Sequence, residues 1–241
     1  MLLQIKNLTK TYDGKSYAIK NISFNMGEGE FVAIVGPNGA GKSTLIRLIN
    51  RLVPFNEGEI FFDGAKVHNA SPSSLKKIRS NIGFVFQHHN LIEQTSVYGN
   101  VLHGRLGETL FLKSIFGLYT KEEKERAENL LKTVGLLEFK NKKAKTLSGG
   151  QMQRVGICRA LMQSPKLLLA DEPIASLDPA SSRTVMETIK RTNLTTIVNL
   201  HQVEFAKEYA TRIIGMRKGQ IIFDGKPSEF SDKIISEVYE N

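Results

Sequence analysis

The sequence predicts an α/β fold: a core of buried strands and helices, antiparallel β elements near its start, and a helical segment inserted into it. Three observations carry this. Unbroken apolar runs such as "FVAIV" (Phe31–Val35), "KLLLADE" and "TTIVNLH" read as strands covered on both faces. Short β-rich stretches separated by glycine turns fill the first sixty residues. Between Gln87 and Pro165 the apolar period changes from that of strands to that of helices.

Taken in order, "LLQIKNL" is a strand, "YDGKS" a turn, "YAIKNISF" a strand and "MGEGE" a glycine-broken turn before Phe31–Val35. Beyond a glycine loop, Leu45, Leu48, Ile49 and Leu52 recur at i, i+3, i+4 and i+7, one face of a helix that Pro54 ends. "GEIFFDG" (58–64) and "GQIIFDG" (219–225) echo each other and read as two antiparallel elements, not as a duplicated domain. "NIGFVFQ" is a further buried strand, with Gln87 at its end. In the helical segment Thr120 and Glu123 form a capping box ahead of Ala127, Leu130, Leu131 and Val134. Val155, Cys158, Leu161 and Met162 repeat the pattern.

The totals exclude several classes. With 241 residues, 41% hydrophobic and 24% charged, the chain has ordinary globular composition and can bury one sizeable core. No apolar run reaches the roughly 18 residues of a membrane span, and "MLLQIKNLTK" lacks the layout of an export signal. Cys158 is the only cysteine, so neither an internal disulfide nor a cysteine zinc cluster is expected. These features fit a soluble cytoplasmic protein. The net charge of +9 is spread along the chain and densest at "KNKKAK" (140–145), so charge alone selects no partner.

The chemistry starts at "GPNGAGKST". Gly36-x4-Gly41-Lys42-Ser43 meets the full P-loop pattern, between a strand and a helix as the motif requires. Glycines let backbone N–H groups wrap phosphate oxygens, and the helix N-terminus adds partial positive charge. Lys42 is expected to bridge the β- and γ-phosphates and Ser43 to ligate Mg²⁺. Asp171, ending "LLLAD", is the second metal-holding group, and Glu172 is placed to polarise the attacking water. His201 and Gln87 end strands at the edge where α/β ligands bind: the first suits the γ-phosphate or the water, the second the metal's water shell. His88 and His89 lack a matching ligand pair, so no metal is expected there. "LSGGQMQR" (147–154) opens a helix with a serine and two glycines and looks like a second anion-binding turn.

The ordered set resembles the ATP-binding subunits of ABC transporters: a Walker A loop at Gly36, Pro37, Asn38, Gly39, Ala40, Gly41, Lys42, Ser43 and Thr44, a glutamine loop at Gln87, LSGGQ at 147–151, Walker B at 167–171 with Glu172, "SLD" at 176–178, and His201. That resemblance covers nearly the whole chain. It implies a P-loop NTPase (RecA-like) core with an antiparallel β subdomain and an inserted α-helical subdomain, the core being 1–87 with 164–241 and the helical part 88–163. It implies ATP and Mg²⁺ as cofactors and Tyr12, in "KTYDG", as the aromatic that stacks on adenine. It also implies a head-to-tail dimer in which Ser148, Gly149, Gly150 and Gln151 of one copy close over the nucleotide of the other. Asp178 would then link the two sites across the interface.

Within that family, "HGRLGETLFLKSIFGLYTKEEKERA", "DEPIASLDP" and "NLHQVEFAKEYATRIIGMRKGQIIFDG" resemble the phosphonate import ATP-binding subunits. Ile174 stands where a threonine is commoner, and Met152 is a minor departure. The resemblance implies a subunit at the cytoplasmic face of the plasma membrane. A separate permease would be its direct partner, and an external solute-binding protein an indirect one. Phosphite, another oxyanion or another small solute are alternative cargoes. The aromatic-rich stretch 110–119 is either a docking surface for the permease or packing within the helical part. A soluble ABC ATPase acting on DNA or ribosomes is disfavoured, since the chain has neither a long coiled-coil insertion nor a second cassette, and no nucleic-acid partner is expected.

Overall fold

The computed structural model describes residues 1–106 and 119–240. Its opening strands, β1 (Leu3–Thr11) and β2 (Tyr17–Met26), pair antiparallel. Each bends where the left-handed backbone of Asn7 or Asn21 disturbs the alternation. Ile5 and Leu8, three residues apart, therefore both point inward, as do Ile19 and Ile22. β4 (Glu57–Phe62) and β5 (Ala65–Lys66) complete a four-stranded sheet in the order β2-β1-β4-β5.

The second sheet has six strands in the order β10-β9-β3-β8-β7-β6. β3 (Phe31–Val35), β6 (Ile82–Val85), β7 (Leu167–Ala170), β8 (Thr195–Asn199) and β9 (Arg212–Arg217) run parallel. β10 (Gln220–Gly225) returns antiparallel along β9. The echoing stretches 58–64 and 219–225 thus contribute antiparallel strands to different sheets. β3, β6, β7 and β8 are buried along their whole lengths, which is why they read as unbroken apolar runs.

Alternate residues of β3 face two cores. Val32 and Ile34 pack with the four-stranded sheet and with α1 (Lys42–Ile49), through Leu45, Ile46, Leu48 and Ile49. Phe31, Ala33 and Val35 face α6 (Pro179–Arg191), α7 (Val203–Tyr209) and α8 (Asp232–Tyr239) on the other side. α2 (Pro72–Ser80) starts with a Ser71 cap and Pro72 in its first turn.

A third apolar cluster joins α3 (Val97–Leu102), α4 (Lys121–Thr133) and α5 (Gly149–Leu161). The capping box of Thr120 and Glu123 is present. α5 belongs to two cores: Val155 and Cys158 face the helical cluster, while Ile157 and Ala160 face the sheet. Leu161, expected on the first of these faces, packs against the second. α1 also ends earlier than its apolar period suggests, at Ile49. Arg51 turns the chain left-handed and Leu52 is left 45% exposed. No helix of the described residues is long and apolar enough to cross a membrane. Of the stretch 110–119, only Tyr119 lies among the described residues.

Candidate functional site

Parallel pairing brings the sequence-predicted residues to one edge. Val85 lies opposite Ala170, Ala170 opposite Val198, and Ile34 opposite Asn199. Gln87, Asp171, Glu172, His201 and Gly36 therefore all follow the carboxyl ends of neighbouring strands, where open α/β sheets bind ligands.

The loop from Gly36 to Gly41 needs its glycines for two reasons. Gly36, Gly39 and Gly41 have φ of 147°, 79° and 99°. A Cβ would stand 2.1 Å from the Met216 carbonyl oxygen at Gly36 and 2.4 Å from that of Ala18 at Gly41. The loop thus rests on β9 and β2, and the Gly219 N–H donates to the Ala40 carbonyl at 3.1 Å. Pro37, Asn38 and Gly39 form the outer turn, with Asn38 and Gly39 exposed. No side chain caps α1, so the N–H groups around Lys42, Ser43 and Thr44 keep the partial positive charge of a helix start. Lys42 is buried, and its Nζ donates to the carbonyls of Gly36 (2.8 Å) and Pro37 (3.1 Å). Burial pushes its pKa below the usual lysine range, and the Glu172 and Asp171 carboxylates oppose that shift.

Asp171 is buried just beyond β7. Its Oδ1 accepts from Asn199 Nδ2 at 2.9 Å, and its Oδ2 pairs with Arg47 Nη2 at 3.2 Å. Glu172 follows with φ of 50°, a left-handed conformation uncommon for a residue with a side chain. This turn aims its carboxylate at His201, whose Nε2 lies 2.8 Å from Glu172 Oε1. The His201 carbonyl accepts from the Tyr239 hydroxyl of α8 at 3.3 Å.

Gln87 is half-buried in the turn after β6, which ends at Val85 and not at Gln87 as its apolar run suggests. α5 holds this turn. Gln153, fully buried, donates to the Phe86 carbonyl at 3.3 Å and meets His89 Nδ1 with its oxygen. Arg159 donates to the His89 carbonyl at 2.8 Å.

The second anion turn is a capping box. Ser148 Oγ accepts from the Gln151 N–H at 3.3 Å, and Gln151 Oε1 accepts from the Ser148 N–H at 2.9 Å. A Cβ at Gly150 would lie 2.9 Å from Ser181 Cβ, and one at Gly149 3.3 Å from Leu177 Cδ2. α5 and α6 consequently begin side by side. Asp178 caps α6, accepting from the N–H groups of Ala180 (3.1 Å) and Ser181 (3.0 Å). Hydrogen bonds from Ser181, side chain and backbone, hold the Asp178 carboxyl below its usual pKa. Among the described residues no hydrogen bond or ion pair joins 148–151 to the phosphate loop.

Tyr12 is 65% exposed beyond β1, with Lys10 Nζ 4.9 Å from its ring centroid. Asp13 fixes the adjoining turn by accepting from the N–H groups of Lys15 and Ser16, both at 2.8 Å, which places its pKa far below the carboxylate range.

Sequence reasoning missed Arg47, Asn199, Gln153, Arg159 and Tyr239. One of them left a trace: the asparagine in the buried run "TTIVNL" is a polar residue where the local pattern calls for an apolar one.

Comparison with known proteins bears on the whole arrangement. Residues 19–175 match the family model described as ABC transporter. The chain is 54% identical to the phosphonates import ATP-binding protein PhnC 2 of Oceanobacillus iheyensis, over 98% of this chain and 94% of that protein. It is 50% identical to the phosphonates import ATP-binding protein PhnC of Treponema denticola, over 100% and 96% of the two chains. Among solved structures, a dimeric ATP-binding cassette in a post-hydrolysis state bound to ADP and Pi superposes with a TM-score of 0.81 at 38% identity, covering 94% of this chain and 99% of that one. A nucleotide-free cassette from an ABC transporter superposes at 0.86 with 29% identity, covering 100% and 99%. Ordered motifs, fold and full-length likeness converge: this chain belongs to the ABC transporter family of ATP-binding proteins.

Proposed function

We propose that the chain is the ATP-hydrolysing subunit of an ABC importer and powers uptake of phosphonates through a separate membrane permease. The observation that carries the ATPase reading is the Glu172–His201 contact of 2.8 Å at the strand edge that also holds a complete phosphate loop. The phosphonate reading rests on the 54% and 50% identity to import proteins over nearly their full lengths.

In this reading Tyr12 stacks on adenine, and the N–H groups of Gly36 to Thr44 receive the phosphates. Lys42, desolvated and bonded to the loop's own carbonyls, turns its ammonium to the β- and γ-phosphates. The donor set fits Mg²⁺: a buried carboxylate at Asp171, the Ser43 hydroxyl, and the Asn199 Oδ1, a buried oxygen without a hydrogen-bond partner among the described residues. Gln87 would face the ion's water shell. When bound, Mg²⁺ neutralises charge on the transferring phosphoryl group. Glu172 takes a proton from the attacking water, and His201 holds Glu172 in place and faces the γ-phosphate.

Ser148, Gly149, Gly150 and Gln151 complete the nucleotide site of a second copy in a head-to-tail dimer, with Asp178 at the seam. We take 88–163 as a helical lobe that carries this surface, inserted between core segments 1–87 and 164–241. The subunit sits peripherally on the cytoplasmic face of the plasma membrane, and a solute-binding protein meets the permease on the other side. Purified protein with Glu172→Gln should bind ATP normally while its MgATP turnover falls by about 10²–10⁴-fold. An unchanged rate refutes the assignment. Cells without the subunit should lose uptake of labelled phosphonate; loss of phosphite uptake alone would reassign the cargo.

A further inference from the structure

Asp171 is gripped by two side chains outside the family motifs, and they differ in freedom. Asn199 is fully buried on β8, whose register with β7 fixes it beside Asp171 Oδ1. Arg47 reaches Oδ2 from α1 on a long arm, with its side chain 48% exposed. A divalent cation and a guanidinium both seek the negative charge of that oxygen, and only Arg47 is free to leave.

We propose that Arg47 is a placeholder cation on Asp171, a positioning residue that competes with the divalent metal for Oδ2. The inference rests on the reading that Asp171 holds the metal. Two consequences follow from charge. While Arg47 sits on Asp171, the carboxylate is neutralised, so a polyphosphate anion approaching the nearby loop is not repelled by it. When the metal arrives, Arg47 must be displaced, which lowers metal affinity by the worth of the ion pair. A partly exposed pair of this kind corresponds to about a two- to five-fold change in affinity.

The test measures binding, not turnover. Mn²⁺ affinity of the ADP-bound protein is followed by electron paramagnetic resonance, and ADP binding in EDTA by fluorescence of a labelled analogue. Arg47→Met should tighten Mn²⁺ about two- to five-fold and weaken ADP in EDTA, an opposed pair of effects that general loosening of the site would not produce. Arg47→Lys, which keeps the cation, should stay near wild type. Unchanged or weaker Mn²⁺ binding in Arg47→Met overturns the proposal, and Arg47→Gln serves the same test if that variant does not fold. Asp171→Asn separates the two claims. If it leaves Mn²⁺ affinity unchanged, the metal-holding role of Asp171 itself fails. If it weakens Mn²⁺ while Arg47→Met does not tighten it, only the placeholder role fails.

Discussion

At the residue scale, environment determines which groups can do chemistry. Glu172 and Cys158 show the two extremes. The left-handed backbone of Glu172 turns a carboxylate off the end of a buried strand toward His201, a conformation that costs on the order of 1 kcal/mol or more and persists where surrounding structure enforces it. Cys158 lies on α5 with no access to solvent, and burial pushes its thiol up to about 12. At pH 8 only about one molecule in ten thousand then carries the reactive thiolate. Native protein should resist alkylation by iodoacetamide and react only on denaturation. Fast labelling of the folded protein at pH 8 would contradict the packing described for α5.

Legibility at this scale divides along chemistry. Lys42, Asp171 and Glu172 could be read because their spacing from glycines and from apolar strands is itself the signal. Arg47 and Asn199 could not be assigned a target, since contacts over 124 and 28 positions depend on how strands and helices are arranged. Gln151 was legible as part of a turn. That its oxygen reaches back to the Ser148 N–H follows from the S-x-x-Q capping pattern.

At the element scale, the pairing of the α5 and α6 starts is the main result. Gly150 is a glycine because Ser181 stands where its side chain would be, so the LSGGQ turn and the Asp178 cap lie side by side. Replacing Ser148 separates two roles. Ser148→Ala removes the cap alone and should lower stability by about 0.5–2 kcal/mol, measurable by denaturant titration. Ser148→Arg adds a large cation to the face proposed to meet the second copy. ATP should still bind the phosphate loop, while ATP-driven dimerisation and turnover are lost. Normal dimerisation by that variant in light scattering would remove the LSGGQ turn from the proposed interface. The helical periods that announced α4 and α5 were readable, yet the end of α1 was not: the apolar spacing runs on to Leu52 while the left-handed Arg51 turns the chain away.

At the scale of the whole molecule, α/β order and an inserted helical segment were visible in the sequence because buried strands and amphipathic helices have different periods. Strand order was not visible. β3, early in the chain, lies between β8 and β9, which come more than 150 residues later, and nothing local encodes that neighbour choice. Gly150→Val tests how far the two helix starts act together, since its side chain would enter the space of Ser181. It should disturb α6 along with α5, seen as lost amide protection at both starts in hydrogen exchange. Protection lost at α5 alone would show that the contact transmits nothing.

The floor of the phosphate loop also has a history in time. Gly36 and Ala40 lean on Met216 and Gly219, so the loop made among the first fifty residues waits for the last thirty to give it a base. During synthesis at about 5–20 residues per second, that interval is roughly ten to forty seconds. Through it the growing chain carries the phosphate-loop sequence without the Met216 and Gly219 contacts that support the loop in the folded chain.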